Sequence, residues 1–274
     1  MAWSKLKTRV LSGAVLVVVL LLITFAPPMV FNIAVGVASL VVMHELLETF
    51  GQNKKRSIVI ADYIFALIYL VPCFVKTDLI SEFAIMTTIL FVMTLCTLSV
   101  FAHKEVNFGD VCASLFIVIY SVVFLSRLIY MRAMTGGLAL VFLSFIGAWL
   151  PDTAAYFAGS FLGKHKLIPA ISPNKTVEGS VGAFVGALVF YLVYGFVLSK
   201  MGYNVNFLSL TILSVICGAV SQIGDLSASV MKRNYNAKDF GKLIPGHGGL
   251  LDRIDSLLFV TPVVYYFIKF FPII

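Results

Sequence analysis

Long apolar runs with almost no charge follow one another along the chain, and they restrict its fold more than any other feature. The run at 83–102, for example, contains no charged residue, and a helix needs about 20 such residues to cross a bilayer. Transmembrane β-strands instead alternate apolar and polar residues over about ten positions, so continuous runs exclude a barrel. The sequence therefore predicts an all-α, polytopic integral membrane protein.

Composition excludes the main alternatives. Hydrophobic residues make up 60% of the 274 residues and charged residues 12%, whereas soluble domains average about 45–50% and about 25%. A soluble globule cannot bury this much apolar surface, and disordered chains are far more polar. Soluble enzymes, secreted disulfide-rich scaffolds and disordered proteins are therefore excluded.

The apolar runs predict about nine transmembrane helices, joined by short loops into a single transmembrane domain over 1–274. N-terminal helices would occupy about 1–130, and a catalytic C-terminal part would occupy about 137–274. The predicted spans are 10–26, 30–50, 57–74, 83–102, 111–128, 137–157, 179–198, 207–231 and 251–270.

Loop charges predict how these spans are oriented, because cytoplasmic loops are enriched in Lys and Arg. With the N-terminus inside, most of the 20 Lys and Arg residues fall in inside segments, including Lys5, Lys7 and Arg9, while few, such as Lys76, fall outside. We therefore expect a cytoplasmic N-terminus and an outside C-terminus. The two longest loops, near 164–178 and 234–250, would both be cytoplasmic.

Four carboxylates from three predicted helices would lie at similar depth near the cytoplasmic face: Asp152, Asp225, Asp252 and Asp255. Ionisable residues within spans are costly and usually functional. Hard carboxylate oxygens together with substrate phosphates suit Mg²⁺. The alternative is a set of buried acid–base pairs that only hold helices together.

The segment between the last two predicted spans has the character of a phosphate site. It contains the bases Lys232, Arg233, Lys238 and Lys242, and the glycines Gly241, Gly246, Gly248 and Gly249 around His247. Glycine-rich backbone ahead of a helix N-terminus offers free N–H groups to an anion. Ser229 follows Asp225 by one helical turn, which places an acid, a hydroxyl and the bases on one stripe.

The other cytoplasmic segment, 151–182, offers one further anion-binding candidate, Lys175. Thr176 and Glu178 beside it fit a simple helix cap equally well. The string HELLE at 44–48 lacks the second histidine of a zinc protease helix, so that class is set aside.

These residues carry a specific resemblance. The stretch SVMKRNYNAKDFGKLIPGHGGLLDRID, Ser229 to Asp255, resembles the signature of phosphatidate cytidylyltransferases (CDP-diacylglycerol synthases). That pattern is Ser, two residues, Lys-Arg, four residues, Lys-Asp, then His-Gly-Gly, two residues, Asp-Arg, one residue, Asp. The upstream strings DTAAYFAGSFLGKHK and SPNKTVEGSVG are also similar to the family, whereas the N-terminal half matches only in its apolar pattern and in Glu45–Leu46.

The resemblance implies that CTP and phosphatidic acid react to give CDP-diacylglycerol and pyrophosphate. It also implies Mg²⁺, with K⁺ as an optional second ion, and a homodimer in the bilayer of a prokaryotic plasma membrane, with the active site facing the cytoplasm and no nucleic-acid partner. We expect Asp225 and Asp252 to be the main metal ligands, and Asp255 to be a ligand or to support one. Substrate phosphates would contact Lys232, Arg233, Lys238 and Arg253; His247, Gly248 and Gly249 would form the turn beside the triphosphate, with Ser229 and Lys175 as further contacts and Asp152 in the pocket.

Two other classes of function stay open at this point. A related CTP-using membrane enzyme, such as a polyprenol kinase or an archaeal-lipid cytidylyltransferase, would share the site and differ in its lipid acceptor. A cation or proton transporter would also place acids in the membrane, but it would spread them across the bilayer, whereas the strongest acids here gather at one face.

Overall fold

The computed structural model describes residues 2–74 and 80–274, with side chains from residue 10 onward except at 73–81. The side chains of Lys5, Lys7 and Arg9, and the whole of Lys76, therefore lie outside the described part. The helices are α1 Ala2–Phe25, α2 Pro28–Thr49, α3 Arg56–Leu70, α4 Ile80–Phe101, α5 Phe108–Val118, α6 Phe124–Arg132, α7 Gly137–Leu162, α8 Val177–Lys200, α9 Phe207–Asn234 and α10 Leu251–Phe270. A π-helical turn, Ile119–Val123, joins α5 to α6, and 3-10 turns follow α2 and α3.

Every predicted span overlaps a helix, and the chain is an integral membrane protein with several spans. Within the described residues, six helices are long and apolar enough to cross a membrane: Pro28–Thr49, Glu82–Phe101, Phe108–Arg132, Gly137–Leu162, Val177–Lys200 and Phe207–Asn234. Helix α3 has only 15 residues, and α10 carries Asp252, Arg253 and Asp255 at its start. A total of nine spans therefore stays a prediction.

The chain divides into two compact units. The first contains the described residues up to Ile129 together with Ala237–Arg253, and the second contains Tyr130–Asn236 and Ile254–Ile274. The sequence predicts one transmembrane domain with parts at about 1–130 and 137–274, and that single domain stays a prediction. The contact pattern assigns the glycine-rich segment after α9 to the same unit as the N-terminal helices, which the order of the sequence does not indicate.

Polar side chains fix the helix connections of the first unit. Asn107 and Asp110 form a reciprocal capping box at the start of α5, in which each side chain accepts from the other's backbone N–H. The carboxylate of Asp110 also pairs with Lys55 and accepts from Gln52 Nε2 at 3.0 Å. This carboxylate connects α5 to the turn between α2 and α3, so the ion pair with Asp110 holds Lys55 in place.

Small residues bring α7 and α8 into close contact in the second unit. A Cβ added at Gly182 or Gly186 would lie 2.3 Å from the Cβ of Ala158 or Ala154, respectively. Such spacing is possible only between residues without bulky side chains, as is common in membrane helix pairs. The Gly-xxx-Gly pattern at 182–186 is therefore used for packing within the chain.

One short sheet departs from the all-α prediction. Strands β1, Lys166–Ile168, and β2, Ser172–Thr176, form an antiparallel pair between α7 and α8. These strands are too short and polar to show an alternating pattern in the sequence, which is why the prediction missed them. Thr176 ends the hairpin and caps α8, since its Oγ1 accepts from Gly179 N at 3.1 Å, as one of the two interpretations of this residue expected.

Candidate functional site

Three of the four predicted carboxylates gather in the second unit. Asp152 on α7, Asp225 on α9 and Asp255 on α10 are near enough that the charges of Asp152 and Asp225 act on Asp255. We call these three residues the acidic cluster. Like charges repel strongly at short range, so such a cluster is stable only when protons, cationic side chains or metal ions compensate its charge.

Lysines supply part of that compensation. Lys175 at the end of β2 forms an ion pair with Oδ2 of Asp225, and both side chains are partly exposed, at 25% and 32%. Lys232 in the last turn of α9 acts electrostatically on Asp255. The hairpin was not predicted from the sequence. It places Lys175, which the sequence indicates as an anion-binding candidate, beside the acidic cluster.

Ser256 fixes the position of Asp152. Its Oγ lies 2.7 Å from Asp152 Oδ2 and 3.2 Å from the carbonyl oxygen of Ser221, and Ser256 is only 1% exposed. One hydroxyl proton serves both acceptors, so the serine joins α7, α9 and α10 at the cluster. Sequence reasoning missed Ser256, although it directly follows Asp255 at the start of a predicted span.

The donor set of the acidic cluster fits a hard divalent cation, because it consists of carboxylate oxygens with incomplete charge compensation. No three His, Cys, Asp or Glu side chains in residues 2–74 and 80–274 are arranged so that they already enclose a metal ion. The predicted Mg²⁺ ligands Asp225, Asp252 and Asp255 therefore stay a prediction, and two of them, Asp225 and Asp255, belong to the cluster.

Helix α9 confirms the helical spacing on which the predicted stripe depends. It runs from Phe207 to Asn234 without interruption, so Asp225, Ser229 and Lys232 follow one another at three- and four-residue steps along it. Ser229 is partly exposed, and Arg233 is exposed at the C-terminal end of the helix. Their contacts with substrate stay predictions.

The second group of predicted residues lies in the first unit, in the segment 237–250, which we call the glycine-rich loop. A cavity of about 510 Å³ opens here, and its lining includes Lys238, Lys242, His247 and Gly248 of the loop and Arg253 of α10. The cavity is large enough for a nucleotide-sized ligand. Three cationic side chains face one space, as binding of a polyphosphate requires.

Backbone geometry gives the loop a tight turn beside these cations. Gly246 and Gly248 have φ of 77° and 88°, in the region that favours glycine. The backbone N–H groups of Ile244 and Gly248 donate to each other's carbonyl oxygens at 2.8 and 3.2 Å. Arg253 Nη2 donates to the carbonyl of His247 at 2.7 Å, so this arginine supports the turn as well as lining the cavity.

Asp252 contacts the loop through its backbone. Its Oδ2 accepts from Phe240 N at 2.8 Å and from Gly249 N at 3.0 Å. This carboxylate oxygen therefore connects the start of the loop to its end. Asp252 lies in the first unit and Asp255 in the second, on successive turns of α10.

Two residues of the N-terminal helices contact the loop, and sequence reasoning gave neither a role there. Glu45 of α2 accepts from Leu250 N and Leu251 N, each at 2.8 Å. Ser12 Oγ of α1 lies 2.8 Å from His247 Nδ1. An acidic residue near the end of an apolar span was the available signal for Glu45, whereas a serine in an apolar run gives no comparable signal.

Comparison with known proteins finds relatives that match nearly the whole chain. The profile of the cytidylyltransferase family matches residues 7–271. A phosphatidate cytidylyltransferase of Bacillus subtilis (strain 168) is 33% identical over 274 residues, covering 97% of this chain and 98% of that protein. Proteins of the same name from Staphylococcus aureus (strain COL) and Staphylococcus haemolyticus (strain JCSC1435) are 30% and 35% identical, over 94% and 68% of this chain and 97% and 70% of their own lengths.

The matched region includes both units, the acidic cluster and the glycine-rich loop, so the similarity is not confined to the short signature near the C-terminus. Because the profile and two full-length relatives agree across nearly the whole chain, the chain belongs to the cytidylyltransferase family.

Proposed function

We propose that this protein transfers the cytidylyl group of CTP to phosphatidic acid, which gives CDP-diacylglycerol and pyrophosphate. The observation that carries the proposal is the cavity of the glycine-rich loop, where Lys238, Lys242 and Arg253 face a turn of glycine backbone. That chemistry suits a triphosphate, and the names of the relatives supply the nucleotide and the lipid.

The reaction needs no strong general base. The phosphomonoester of the lipid is largely dianionic at pH 7, because its second pKa is about 6. One of its oxygens attacks the α-phosphorus of CTP, the bond from that phosphorus to the bridging oxygen breaks, and pyrophosphate leaves with the bond electrons. The barrier comes from bringing two polyanions together, so positioning and positive charge are the main requirements.

The chain's own cations meet those requirements in two places. Lys238 and Arg253 would bind the β- and γ-phosphates in the loop cavity, with His247, Gly248 and Gly249 forming the turn beside them. In the second unit, phosphate oxygens would contact Lys175, Ser229, Lys232 and Arg233. Lys175 would be released from Asp225 when a cation compensates the charge of that carboxylate.

Magnesium is part of the proposal, with K⁺ as an optional second ion. Asp225 and Asp255 would hold Mg²⁺, supported by Asp152, and Asp252 stays a predicted ligand whose Oδ2 also holds the loop backbone. When bound, Mg²⁺ would offset negative charge on phosphate oxygens and so stabilise the leaving pyrophosphate. Repulsion among the carboxylates of the acidic cluster favours binding of such a cation.

The proposal also covers the number of spans, the orientation of the chain and the membrane in which it lies. We expect nine spans in a prokaryotic plasma membrane, a cytoplasmic N-terminus, an outside C-terminus and an active site that faces the cytoplasm. In that orientation CTP arrives from water while the lipid enters with its acyl chains still in the bilayer. The homodimer implied by the resemblance would appear as twice the chain mass in light scattering of detergent-purified protein.

The test is an assay of the purified protein in detergent with cytidine-labelled CTP, phosphatidic acid and Mg²⁺. We expect the label to enter the organic phase as CDP-diacylglycerol, and to stay in water when EDTA is added. Polyprenol and an archaeal-type ether lipid serve as alternative acceptors in parallel reactions. Label transfer to one of those acceptors alone would assign the related enzyme activity, and no transfer to any lipid would refute cytidylyl transfer.

A further inference from the structure

Glu45 stands apart from the residues assigned so far, because it is a buried acid of an N-terminal helix that contacts the glycine-rich loop. It lies near the C-terminal end of α2 and is only 5% exposed. Oε1 accepts from Leu250 N and Oε2 accepts from Leu251 N, both at 2.8 Å. Both oxygens of the Glu45 side chain therefore accept hydrogen bonds from consecutive backbone N–H groups.

Those two donors lie where the loop becomes α10. The first N–H groups of a helix have no partner within the helix and need an outside acceptor. A carboxylate also interacts favourably with the positive end of the helix dipole. Glu45 thus caps α10 from a helix about 200 positions earlier in the chain, a relation that the sequence alone does not suggest.

Two loop glycines are explained by the same side chain. A Cβ at Gly241 would lie 2.5 Å from Glu45 Oε1, and a Cβ at Gly249 would lie 2.6 Å from it. Neither glycine has a positive φ, so a side chain at either position would displace the Glu45 carboxylate and would not strain the backbone. The loop therefore wraps around Glu45.

Further contacts from the same helix and from α10 hold the loop on both sides. Thr49 Oγ1, one turn after Glu45, lies 3.5 Å from the carbonyl of Phe240, whose N–H donates to Asp252. The start and the end of the loop are consequently fixed to two helices, and the cationic cavity lies between those ends.

We propose that Glu45 is a positioning residue for nucleotide binding: its carboxylate keeps the glycine-rich loop in the one conformation that presents the cavity cations to the triphosphate. Glu45 does not touch the nucleotide. This inference rests on the proposed use of CTP. If Glu45 acts in this way, its loss lowers the fraction of protein with a binding-competent loop. The apparent affinity for CTP then falls by the same factor.

The test compares Glu45→Gln and Glu45→Ala with Glu48→Gln. Glutamine offers one acceptor oxygen and places an NH₂ donor against the second backbone N–H, so one buried donor loses its partner. Glu48 is a matched control because it lies on the same helix, its side chain is 54% exposed and it lies 3.8 Å from His44. We expect the KM for CTP to rise about tenfold in Glu45→Gln and further in Glu45→Ala, with kcat at saturating CTP nearly unchanged. Glu48→Gln should match the original protein.

A second measurement does not depend on catalysis. Hydrogen–deuterium exchange in peptides spanning 241–252 should quicken in Glu45→Gln and stay unchanged in Glu48→Gln, because Leu250 N and Leu251 N lose their acceptor. Gly241→Ala tests the same contact from the loop side, with Gly36→Ala as its control, since a Cβ at Gly36 meets nothing nearer than 3.7 Å. Gly241→Ala should raise the KM for CTP and quicken exchange in the same peptides, and Gly36→Ala should change neither.

The outcomes separate this inference from the proposed function. A lower kcat at unchanged KM, or unaltered exchange in Glu45→Gln, would overturn the positioning role even in an active enzyme. Faster exchange in a protein that shows no cytidylyl transfer before mutation would instead refute the proposed function while leaving the loop contact intact.

Discussion

The glycine-rich loop of the first unit and the acidic cluster of the second balance their charges in opposite ways. In the loop, cationic side chains line an open cavity, and the nearby carboxylates Glu45 and Asp252 accept backbone N–H bonds. In the cluster, three carboxylates act on one another with only partial compensation from Lys175 and Lys232. The charges of the loop therefore favour an anion, and those of the cluster favour a cation.

This difference separates residues that look alike in the sequence. Glu45, Asp225, Asp252 and Asp255 are all acids within or beside apolar runs. Glu45 and Asp252 repel each other but each accepts two backbone N–H bonds, whereas the charges of Asp225 and Asp255 are compensated by lysine side chains. A carboxylate that already accepts two backbone bonds stabilises structure at low cost. A carboxylate compensated by side-chain cations is the better candidate for a metal ligand, because a metal ion can take the place of those cations. We expect variants of the two regions to change different kinetic parameters.

The largest effect should come from the acidic cluster. Asp225→Asn removes a charged ligand oxygen, and loss of several kcal/mol of transition-state stabilisation corresponds to a fall in kcat of about 10²–10³-fold. Cytidylyl transfer measured across a Mg²⁺ titration checks this expectation. Glu105→Gln, at an exposed acid after α4, is the control. Near-normal turnover of Asp225→Asn at saturating Mg²⁺ would remove this residue from the metal site.

A smaller effect, on a different parameter, should come from the loop. Arg253→Ala removes a cavity cation and the hydrogen bond to the carbonyl of His247, and we expect the KM for CTP to rise about tenfold. Initial rates at varied CTP measure it. Lys200→Ala removes a cation at the end of α8 as the matched control. If Arg253→Ala lowered kcat at constant KM instead, the division between the two regions would be wrong.

Ser256→Ala tests whether the cluster needs its hydroxyl. The substitution removes the 2.7 Å hydrogen bond to Asp152, and leaving a buried acceptor without a partner costs about 1–3 kcal/mol. We expect kcat to fall about tenfold and the melting temperature in detergent to drop by a few degrees. Ser160→Ala, whose exposed hydroxyl donates to the carbonyl of Phe157 in its own helix, should leave both unchanged. Equal effects of the two variants would show that Ser256 has no particular role.

The smallest effect should concern stability alone. Thr176→Ala removes the cap of α8, where Oγ1 accepts from Gly179 N, and such caps contribute about 1 kcal/mol. Thermal unfolding in detergent should shift to lower temperature by a few degrees, with the KM for CTP unchanged. Thr211→Ala, at a half-buried threonine whose hydroxyl donates to Phe207 of its own helix, provides the comparison. A large rise in the KM of Thr176→Ala would mean that the cap of α8 also positions the neighbouring Lys175 for nucleotide binding.

Much of the fold was predictable because membrane helices depend on local sequence. A continuous apolar run of sufficient length has no alternative in a bilayer, where backbone groups must satisfy one another. Each predicted span accordingly overlaps a helix, and the last, 251–270, agrees with α10 at both ends. The short hairpin β1–β2 was missed because its few polar residues have no periodicity.

The sequence predicts which residues form the candidate site but does not predict how the fold groups them. The signature from Ser229 to Asp255 identifies the charged and glycine positions, because phosphates and metal ions require those residue types. It does not reveal that the chain divides within that stretch, so that Asp252 holds the loop while Asp255 joins the acidic cluster. Helical spacing alone treats the two aspartates as equivalent.

The sequence by itself determined the helical membrane class, the positions of the apolar segments and the family, because these depend on local composition and on a fixed order of residues. The tertiary structure alone decided that Glu45 caps α10, that Ser12 contacts His247 and that Lys175 reaches Asp225. Those contacts join residues that are distant in the chain. Their existence depends on how helices pack, which no local pattern encodes.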